Sequence, residues 1–309
     1  MHILGVKVDN LTKNQALKKI DSFLVSGNQH YITTPNPEIV LKAQKDDEFQ
    51  DILNYADLAV ADGFGLVLVS IFFFGWSGRI RERIRGVDLV EWFFARKVDT
   101  KTKFFLLGAA PGVADLAVQK IKEQYHNLLI VGSASGPQLD ANGHPKNDKE
   151  RKVNEEVIRK INQSGAEILL VAFGAPKQEK WIYYQLAQLP KVKLAIAVGG
   201  TLDFIAGKAK RAPRLMQNLG LEWFWRLIKE PWRISRIINA TFIFLFQVFS
   251  WRIRKRLFYR ANVCALIYQA DKLLLVERLV EECNWRKTQR GARSREMPEQ
   301  AIIRRMKEE

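Results

Sequence analysis

The alternation of short apolar runs with amphipathic segments over residues 1–207 constrains the fold more than any other feature of this chain. Six apolar runs predict strands, namely Gln29–Thr33, Leu58–Ala61, Lys103–Leu107, Leu128–Ser133, Ile168–Phe173 and Lys193–Val198. Five segments have helical periodicity, namely Asn14–Val25, Glu38–Lys45, Val113–Tyr125, Asp148–Ser164 and Lys177–Leu189. Strands that alternate with helices predict an α/β fold with a Rossmann-like, mostly parallel sheet and flanking helices.

Several of these strands end directly in Gly, Pro, Asn or Asp. The sequences at these ends are TTPNPE, ADGFG, AFGAPKQE and AVGGTLD. Ligands of open α/β sheets bind at the carboxyl ends of the strands. We therefore expect these motifs, distant in sequence, to converge on one site.

Length and cysteine content limit the class of protein. With 309 residues and 47% hydrophobic content, the chain can bury one large core and is not of disordered composition. Cys264 and Cys283 have the spacing of neither a metal site nor a disulfide framework, which favours the reducing cytoplasm. The first twenty residues contain no apolar signal core, so we expect no export signal.

The formal charge of +16 is concentrated near the C-terminal side of the predicted core. Residues 208–260 contain thirteen Lys or Arg and two Glu, a formal charge of +11. Four tryptophans lie among these charges, and the uncharged run Ile237–Trp251 is too short to span a bilayer comfortably. Such a segment suits an anionic membrane surface or single-stranded nucleic acid. The run TFIFLFQVF favours the membrane, so we expect no nucleic-acid partner.

The run Gly63–Gly78 is strongly apolar and carries no charge. It is also shorter than a membrane span. Two interpretations stay open: a helix buried in the core, or a hydrophobic wall near a lipid substrate.

An ordered series of motifs resembles the WecG/TagA/CpsF glycosyltransferases over about residues 1–258. The motifs are TPNPE (34–38), ADGFG (61–65), RIRGVDL (83–89), GAPKQE (174–179), GGTLD (199–203), RAPR (211–214), GLEW (220–223) and RLIKEP (226–231). The resemblance implies an inverting transfer of N-acetylmannosamine, or a related sugar, from a UDP-sugar. The implied acceptor is N-acetylglucosamine on a polyprenyl diphosphate, in the synthesis of a teichoic acid linkage unit, an antigen or a capsule.

Asp62 is the candidate base. Transfer at an anomeric carbon requires a group that takes the proton of the acceptor hydroxyl, and positive charge that stabilises the departing diphosphate. Asp62 follows a predicted strand and matches the base proposed for the family. The alternative is an aspartate that caps the next helix.

The remaining candidates follow from the same resemblance. Thr34 and Asn36 match polar active-site residues of the family, although an ordinary turn also explains them. Gln178 would touch the nucleotide or donor sugar, or else cap its helix. Arg83 would lie near the pocket, and Asp203 would bind the nucleotide or cap a turn.

The counter-charge for the diphosphate is assigned to arginines. The chain has no Asp-x-Asp pair of the kind that holds a divalent metal in many nucleotide-sugar transferases, so we expect no metal cofactor. Arg211, Arg214 and Arg226 match a C-terminal appendage that docks on the membrane in the family. Arginine pairs well with diphosphate oxygens.

Residues 261–309 resemble the opening strands and a damaged metal-binding motif of a Nudix hydrolase. Arg290 and Arg305 replace a glycine and a glutamate of that motif, and the motif is incomplete at Glu309. We thus predict a catalytic core at 1–207, an appendage at 208–260 and a truncated Nudix-like fragment at 261–309. A diphosphate hydrolase that uses the fragment, and a non-catalytic membrane-binding module, are the alternative functions. The expected site is the cytoplasmic face of the cell membrane, with a homo-oligomer as a further possibility.

Overall fold

Six short parallel strands form one sheet in the part of the chain that the computed structural model describes, which is residues 1–98, 100–213, 215–216, 222–229, 234 and 239–253. A two-stranded hairpin precedes the sheet. In chain order the strands are β1 (His2–Ile3), β2 (Val6–Lys7), β3 (His30–Thr33), β4 (Leu58–Ala59), β5 (Lys103–Gly108), β6 (Leu129–Ala134), β7 (Ile168–Ala172) and β8 (Leu194–Ala197). The order across the large sheet is β4-β3-β8-β7-β5-β6. Strands β7 and β8, the last two in the chain, therefore lie between the pair β3 and β4 and the pair β5 and β6.

Helices connect these strands. They are α1 (Lys13–Val25), α2 (Pro37–Ala43), α3 (Asp47–Tyr55), α4 (Phe64–Phe74), α5 (Gly86–Lys97), α6 (Val113–Gln124), α7 (Asp148–Ser164), α8 (Lys177–Gln185), α9 (Thr201–Ile205) and α10 (Glu222–Lys229). A short 3-10 helix, Leu186–Gln188, follows α8, and Asn239–Ile243 is π-helical. Capping residues determine where several of these helices begin. Thr12 and Gln15 form a capping box at the N-terminus of α1, and Asn147 caps α7.

The sheet is buried on both faces. Alternate residues of β5 enter opposite cores: Phe104 and Leu106 pack with α1, α5 and α6, whereas Phe105 and Leu107 pack with α7 and α8. All of β7 is buried, as a strand covered on both sides requires. The predicted α/β fold with a parallel sheet is therefore confirmed.

The apolar run after Asp62 forms α4, but its interpretation as a buried core helix is wrong. Leu66 and Val69 are buried, whereas Leu68 and Phe72 are 45% and 48% exposed. Trp76, just beyond the helix, is 69% exposed. Apolar residues on every side of this helix leave no sequence pattern that shows which side faces the core.

The chain divides into two compact units, Met1–Phe246 and Gln247–Glu309. Residues 208–246 thus belong to the same unit as the sheet, and 247–253 are helical within the second unit. The predicted boundaries at 207 and 260 stay predictions, and the Nudix-like fragment 261–309 lies outside the described residues. None of the described helices combines the length and apolar character that a membrane crossing requires.

Candidate active site

Asp62 lies at the carboxyl edge of the sheet and contacts a helix that is not its own. Its N–H donates to the Pro35 carbonyl at 2.8 Å, and its Oδ2 accepts from the Gly86 N–H at 3.2 Å. Gly86 is the first residue of α5, whereas Gly63 occupies the cap position of α4 and provides no side chain. Asp62 is therefore not the cap of the helix that follows it. The N-terminus of α5 favours its charged form, which is the form a base requires.

Loops from three strands meet around Gly86. A Cβ built on Gly86 would lie 3.6 Å from Asp62 Oδ2, 3.6 Å from Thr201 Oγ1 and 3.7 Å from Thr34 Cγ2. Both threonines are buried, and each hydroxyl donates to a carbonyl at the end of β8: Thr34 to Ala197 at 3.2 Å and Thr201 to Val198 at 2.6 Å. Thr34 thus fixes β3 to β8 beside Asp62. Thr201 and Gly86 belong to the motifs GGTLD and RIRGVDL but were not singled out from the sequence.

Asn36 has a structural role that its position in a turn predicts. Its Oδ1 accepts from the Ile39 N–H at 3.0 Å and caps α2. The start of α4 packs closely against the same loop. A Cβ built on Gly63 or Gly65 would lie 2.9 or 2.8 Å from the Pro37 ring, so only glycine fits at these positions. Gly63 also has a φ of +140°, which disfavours any other residue. Contact of Asn36 with a sugar stays a prediction.

Gln178 connects the loops after β7 and β8. Its side chain is 1% exposed, and its Oε1 accepts from Gly174 N–H at 3.1 Å and from Gly199 N–H at 3.0 Å. Its Nε2 donates to Glu179 Oε1 at 2.8 Å. Because both backbone partners are donors, only this orientation of the amide satisfies them. Gln178 therefore shapes the site edge, and its predicted contact with the donor stays a prediction.

Glu179 is a fully buried carboxyl group beside this loop. Burial raises the pKa of Glu179 to about 7, although its hydrogen bond from Gln178 acts in the opposite direction. Its Oε2 has no hydrogen-bond partner among the described residues. Glu179 is part of the sequence motif GAPKQE, but its complete burial is visible only in the structure.

The arginines gather at the first turn of α5. Arg211 pairs with Asp88 and lies 3.5 Å from Glu91, and Arg85 pairs with the same Asp88. Because Gly86 and Asp88 both belong to the first turn of α5, the Asp62 carboxylate and Arg211 contact the same turn of this helix. The structure therefore brings the candidate base and an arginine from residues 208–246 to one helix end.

Glu222 of α10 adds Arg83 to this cluster and also contacts Arg85. Its Oε2 lies 3.5 Å from Arg83 Nη2, and its Oε1 lies 3.4 Å from Arg85 Nη1. Arg83 therefore belongs to the arginine cluster beside α5, and its contact with the substrate stays a prediction. Arg214 falls outside the described residues, and so does the side chain of Arg226, whose backbone is part of α10.

Asp203 lies in the first turn of α9, after the Gly199–Gly200 turn that ends β8. Its carbonyl accepts from the Lys208 and Ala209 N–H groups at 2.9 and 3.1 Å, which closes the end of α9. Nucleotide binding by Asp203 stays a prediction. Across the described ranges, no group of three or more His, Cys, Asp or Glu is arranged to hold a metal ion, and the expectation of no metal cofactor also stays a prediction.

A parallel sheet covered on both faces, with a carboxylate and ion-paired arginines at one carboxyl edge, defines an α/β protein with a candidate active site at that edge. The chain belongs to the glycosyl transferase WecG/TagA/CpsF family, whose sequence model matches residues 1–257. It is 32% identical over 228 residues to the N-acetylglucosaminyldiphosphoundecaprenol N-acetyl-beta-D-mannosaminyltransferase of Bacillus subtilis (strain 168), covering 71% of this chain and 82% of that protein. It is also 32% identical over 248 residues to the protein of the same name from Staphylococcus aureus (strain MRSA252), covering 80% of this chain and 91% of that one. The predictions of the family and of a glycosyltransferase are confirmed, whereas the Nudix-like resemblance of the tail stays a prediction.

Proposed function

We propose that the protein transfers N-acetylmannosamine from UDP-N-acetylmannosamine to N-acetylglucosamine on a polyprenyl diphosphate. The names of the relatives supply the sugar and the acceptor. The observation that carries the mechanism is the Asp62 carboxylate at the N-terminus of α5, beside the arginine cluster.

In this mechanism the acceptor hydroxyl attacks the anomeric carbon of the donor from the face opposite to UDP. As the new C–O bond forms, Asp62 takes the hydroxyl proton, and the bond to the diphosphate breaks. The electron pair leaves with UDP, and the anomeric configuration inverts. We expect Arg83 and Arg211, which pair with Glu222 and Asp88, to stabilise the developing charge on the diphosphate.

The place of action follows from the substrates. A polyprenyl diphosphate stays in the membrane and a UDP-sugar is made in the cytoplasm, so the enzyme acts at the cytoplasmic face as a peripheral protein. The basic block 208–260 supplies charge that an anionic surface attracts. We propose that the product enters a cell-surface polysaccharide, as a teichoic acid linkage unit, an antigen or a capsule.

A transfer assay with defined donors and acceptors tests this proposal. Full-length protein is given UDP-N-acetylmannosamine or UDP-N-acetylglucosamine, together with a lipid-diphosphate N-acetylglucosamine or the same sugar without diphosphate. We expect efficient transfer only with the first donor and the diphosphate acceptor, and a β-linked product by NMR. Product with retained configuration, or equal use of both acceptors, would contradict the proposal.

A further inference from the structure

Helix α4 presents an apolar face that is partly exposed in the described part of the chain. Phe64, Leu68 and Phe72 are all exposed and recur every four residues, which places them on one side of the helix. Phe74 and Trp76 extend this surface beyond the end of the helix and are also exposed. We call these five residues the α4 face.

The opposite side of α4 is fixed in the core, so the α4 face cannot turn inward. Leu66 and Val69 are buried, and the Ser70 hydroxyl oxygen accepts from the Ile80 N–H at 2.8 Å. At the N-terminus, a Cβ on Gly65 would lie 3.8 Å from the ring of Phe244, which is itself fully buried. The helix is therefore a rigid support for its exposed side chains.

The composition around the α4 face is typical of a membrane interface. Residues 63–78 contain no charged residue, and Arg79 follows at once. The Arg79 guanidinium lies 3.9 Å above the Trp76 ring and donates to the Trp76 carbonyl at 2.6 Å. Aromatic rings with adjacent arginines are favoured where hydrocarbon meets lipid headgroups.

The helical segment that contacts α4 at Gly65 also exposes apolar side chains. Phe242 and Phe246, which flank the buried Phe244, are 73% and 71% exposed. Their spacing of four residues places both on one side of that segment, away from the contact of Phe244 with Gly65. Apolar side chains are therefore exposed on both of the elements that meet at Gly65.

We propose that the α4 face docks on an anionic lipid bilayer and holds the mouth of the site at headgroup level. This inference rests on the proposed function for one point, that the acceptor's hydrocarbon stays in the membrane while its sugar reaches Asp62. Because α4 begins two residues after Asp62, contact of its face with lipid brings the carboxylate to the acceptor without moving the core.

Binding to vesicles without substrate tests this contact. Full-length wild type, Leu68→Gln/Phe72→Gln and Val25→Gln are sedimented with vesicles of phosphatidylcholine and phosphatidylglycerol. Val25 is a matched control, since it is an 84% exposed apolar residue at the end of α1. We expect the double variant to bind vesicles about tenfold more weakly, because the apolar area it loses is about that of one fully buried side chain. The control should bind like the wild type. Circular dichroism and thermal unfolding check that all three fold alike.

Two further readouts separate the possible occupants of this surface. Brominated lipids should quench the fluorescence of the wild type more than that of Trp76→Tyr. Unchanged vesicle binding by the double variant, or equal quenching of both proteins, overturns the proposal. A double variant whose oligomeric state changes in size-exclusion chromatography also overturns it, since a second copy of the chain would then cover the face.

The transfer assay distinguishes this inference from the proposed function. We expect the double variant to lose turnover with vesicle-embedded acceptor and to keep it with a short-chain, water-soluble acceptor analogue. If the wild type transfers no sugar to either acceptor, the assignment of substrates fails. The vesicle result stands independently, because it is measured with no substrate present.

Discussion

Asp62 and Glu179 are two carboxyl groups at the same edge of the sheet in opposite environments. Asp62 is partly exposed and accepts the N–H of Gly86 at the start of a helix, which favours its charged form. Glu179 is fully buried, and burial raises its pKa to about 7. Two carboxyl groups in environments that differ in this way can have different roles in one protein. These environments are consistent with the proposal that Asp62 is the base, whereas Glu179 accepts the hydrogen bond of Gln178.

Glu179 should make the stability of the protein depend on pH in a defined window. In the unfolded chain this carboxyl ionises near its ordinary value of 4.5, whereas in the folded protein it ionises near 7. The folded state therefore binds one more proton between these values, and stability falls as pH rises from 4.5 to 7, by on the order of 3 kcal/mol.

Urea unfolding of wild type and Glu179→Gln across this pH range measures the effect. We expect the wild type to lose stability relative to the variant as pH rises, because the amide has no proton to release. Glu156→Gln, on an exposed face of α7, is the control. Parallel curves for the wild type and Glu179→Gln would show that Glu179 does not titrate in this window.

The sequence predicted which residues lie at the carboxyl edge of the sheet better than it predicted their contacts. Asp62 and Thr34 follow predicted strands, and the rule that strand ends converge brings them together. Gln178 differs, because its oxygen binds the N–H of Gly199, twenty-one positions away. No local pattern encodes such a contact, and the same residue type suits both a ligand contact and a loop anchor.

At the scale of elements, the N-terminus of α5 organises the site. Its first N–H, that of Gly86, donates to Asp62 in the loop after β4. Its first turn also contains Asp88, which pairs with Arg85 and Arg211. Glu222 of α10 adds contacts to Arg83 and Arg85. One helix end therefore connects the candidate base to residues beyond the predicted core.

Removal of Glu222 should loosen α10 from this helix end. The two ion pairs are about a quarter exposed or less, so each is worth about 1 kcal/mol or less. We expect Glu222→Ala to speed tryptic cleavage between residues 208 and 230 and to lower the transfer rate by about fivefold. Glu222→Asp should recover part of both losses.

Glu123→Ala is the control, because Glu123 forms an exposed ion pair with Lys120 on α6. Cleavage and transfer rates of Glu222→Ala that match those of the control would show that Glu222 does not hold α10 in place.

The elements themselves follow from sequence to different degrees. The predicted strands and α7 agree with the structure within one or two residues, because their apolar periodicity is unambiguous. Helix α5 was read only as an arginine motif, and α3 was missed. The orientation of α4 could not be predicted, because the helix has apolar residues on all sides. Only tertiary contacts decide which side is exposed.

At the scale of the whole molecule, the proposed membrane contact combines two contributions, charge and apolar surface. The +11 of residues 208–260 gives long-range attraction to anionic lipid, whereas the α4 face supplies short-range burial. Only the first contribution is screened by salt.

Salt should therefore weaken vesicle binding in a way that reveals both contributions. We expect binding to vesicles with phosphatidylglycerol to fall by about tenfold or more as salt rises from low to physiological concentration, because the exposed charges become screened. Binding to pure phosphatidylcholine should change little. The Leu68→Gln/Phe72→Gln variant should keep the salt dependence of the wild type, and a salt-independent wild type would contradict the electrostatic part of the account.

The measurement that tests the central claim most directly compares Asp62→Asn with the wild type in donor binding and in sugar transfer. Asparagine can still accept the Gly86 N–H but cannot take a proton, and Asp148→Asn, an 83% exposed side chain on α7, is the control. We predict that Asp62→Asn binds UDP-N-acetylmannosamine like the wild type and transfers it slower by on the order of 10²-fold or more. An Asp62→Asn enzyme with wild-type turnover would contradict the assignment of Asp62 as the base.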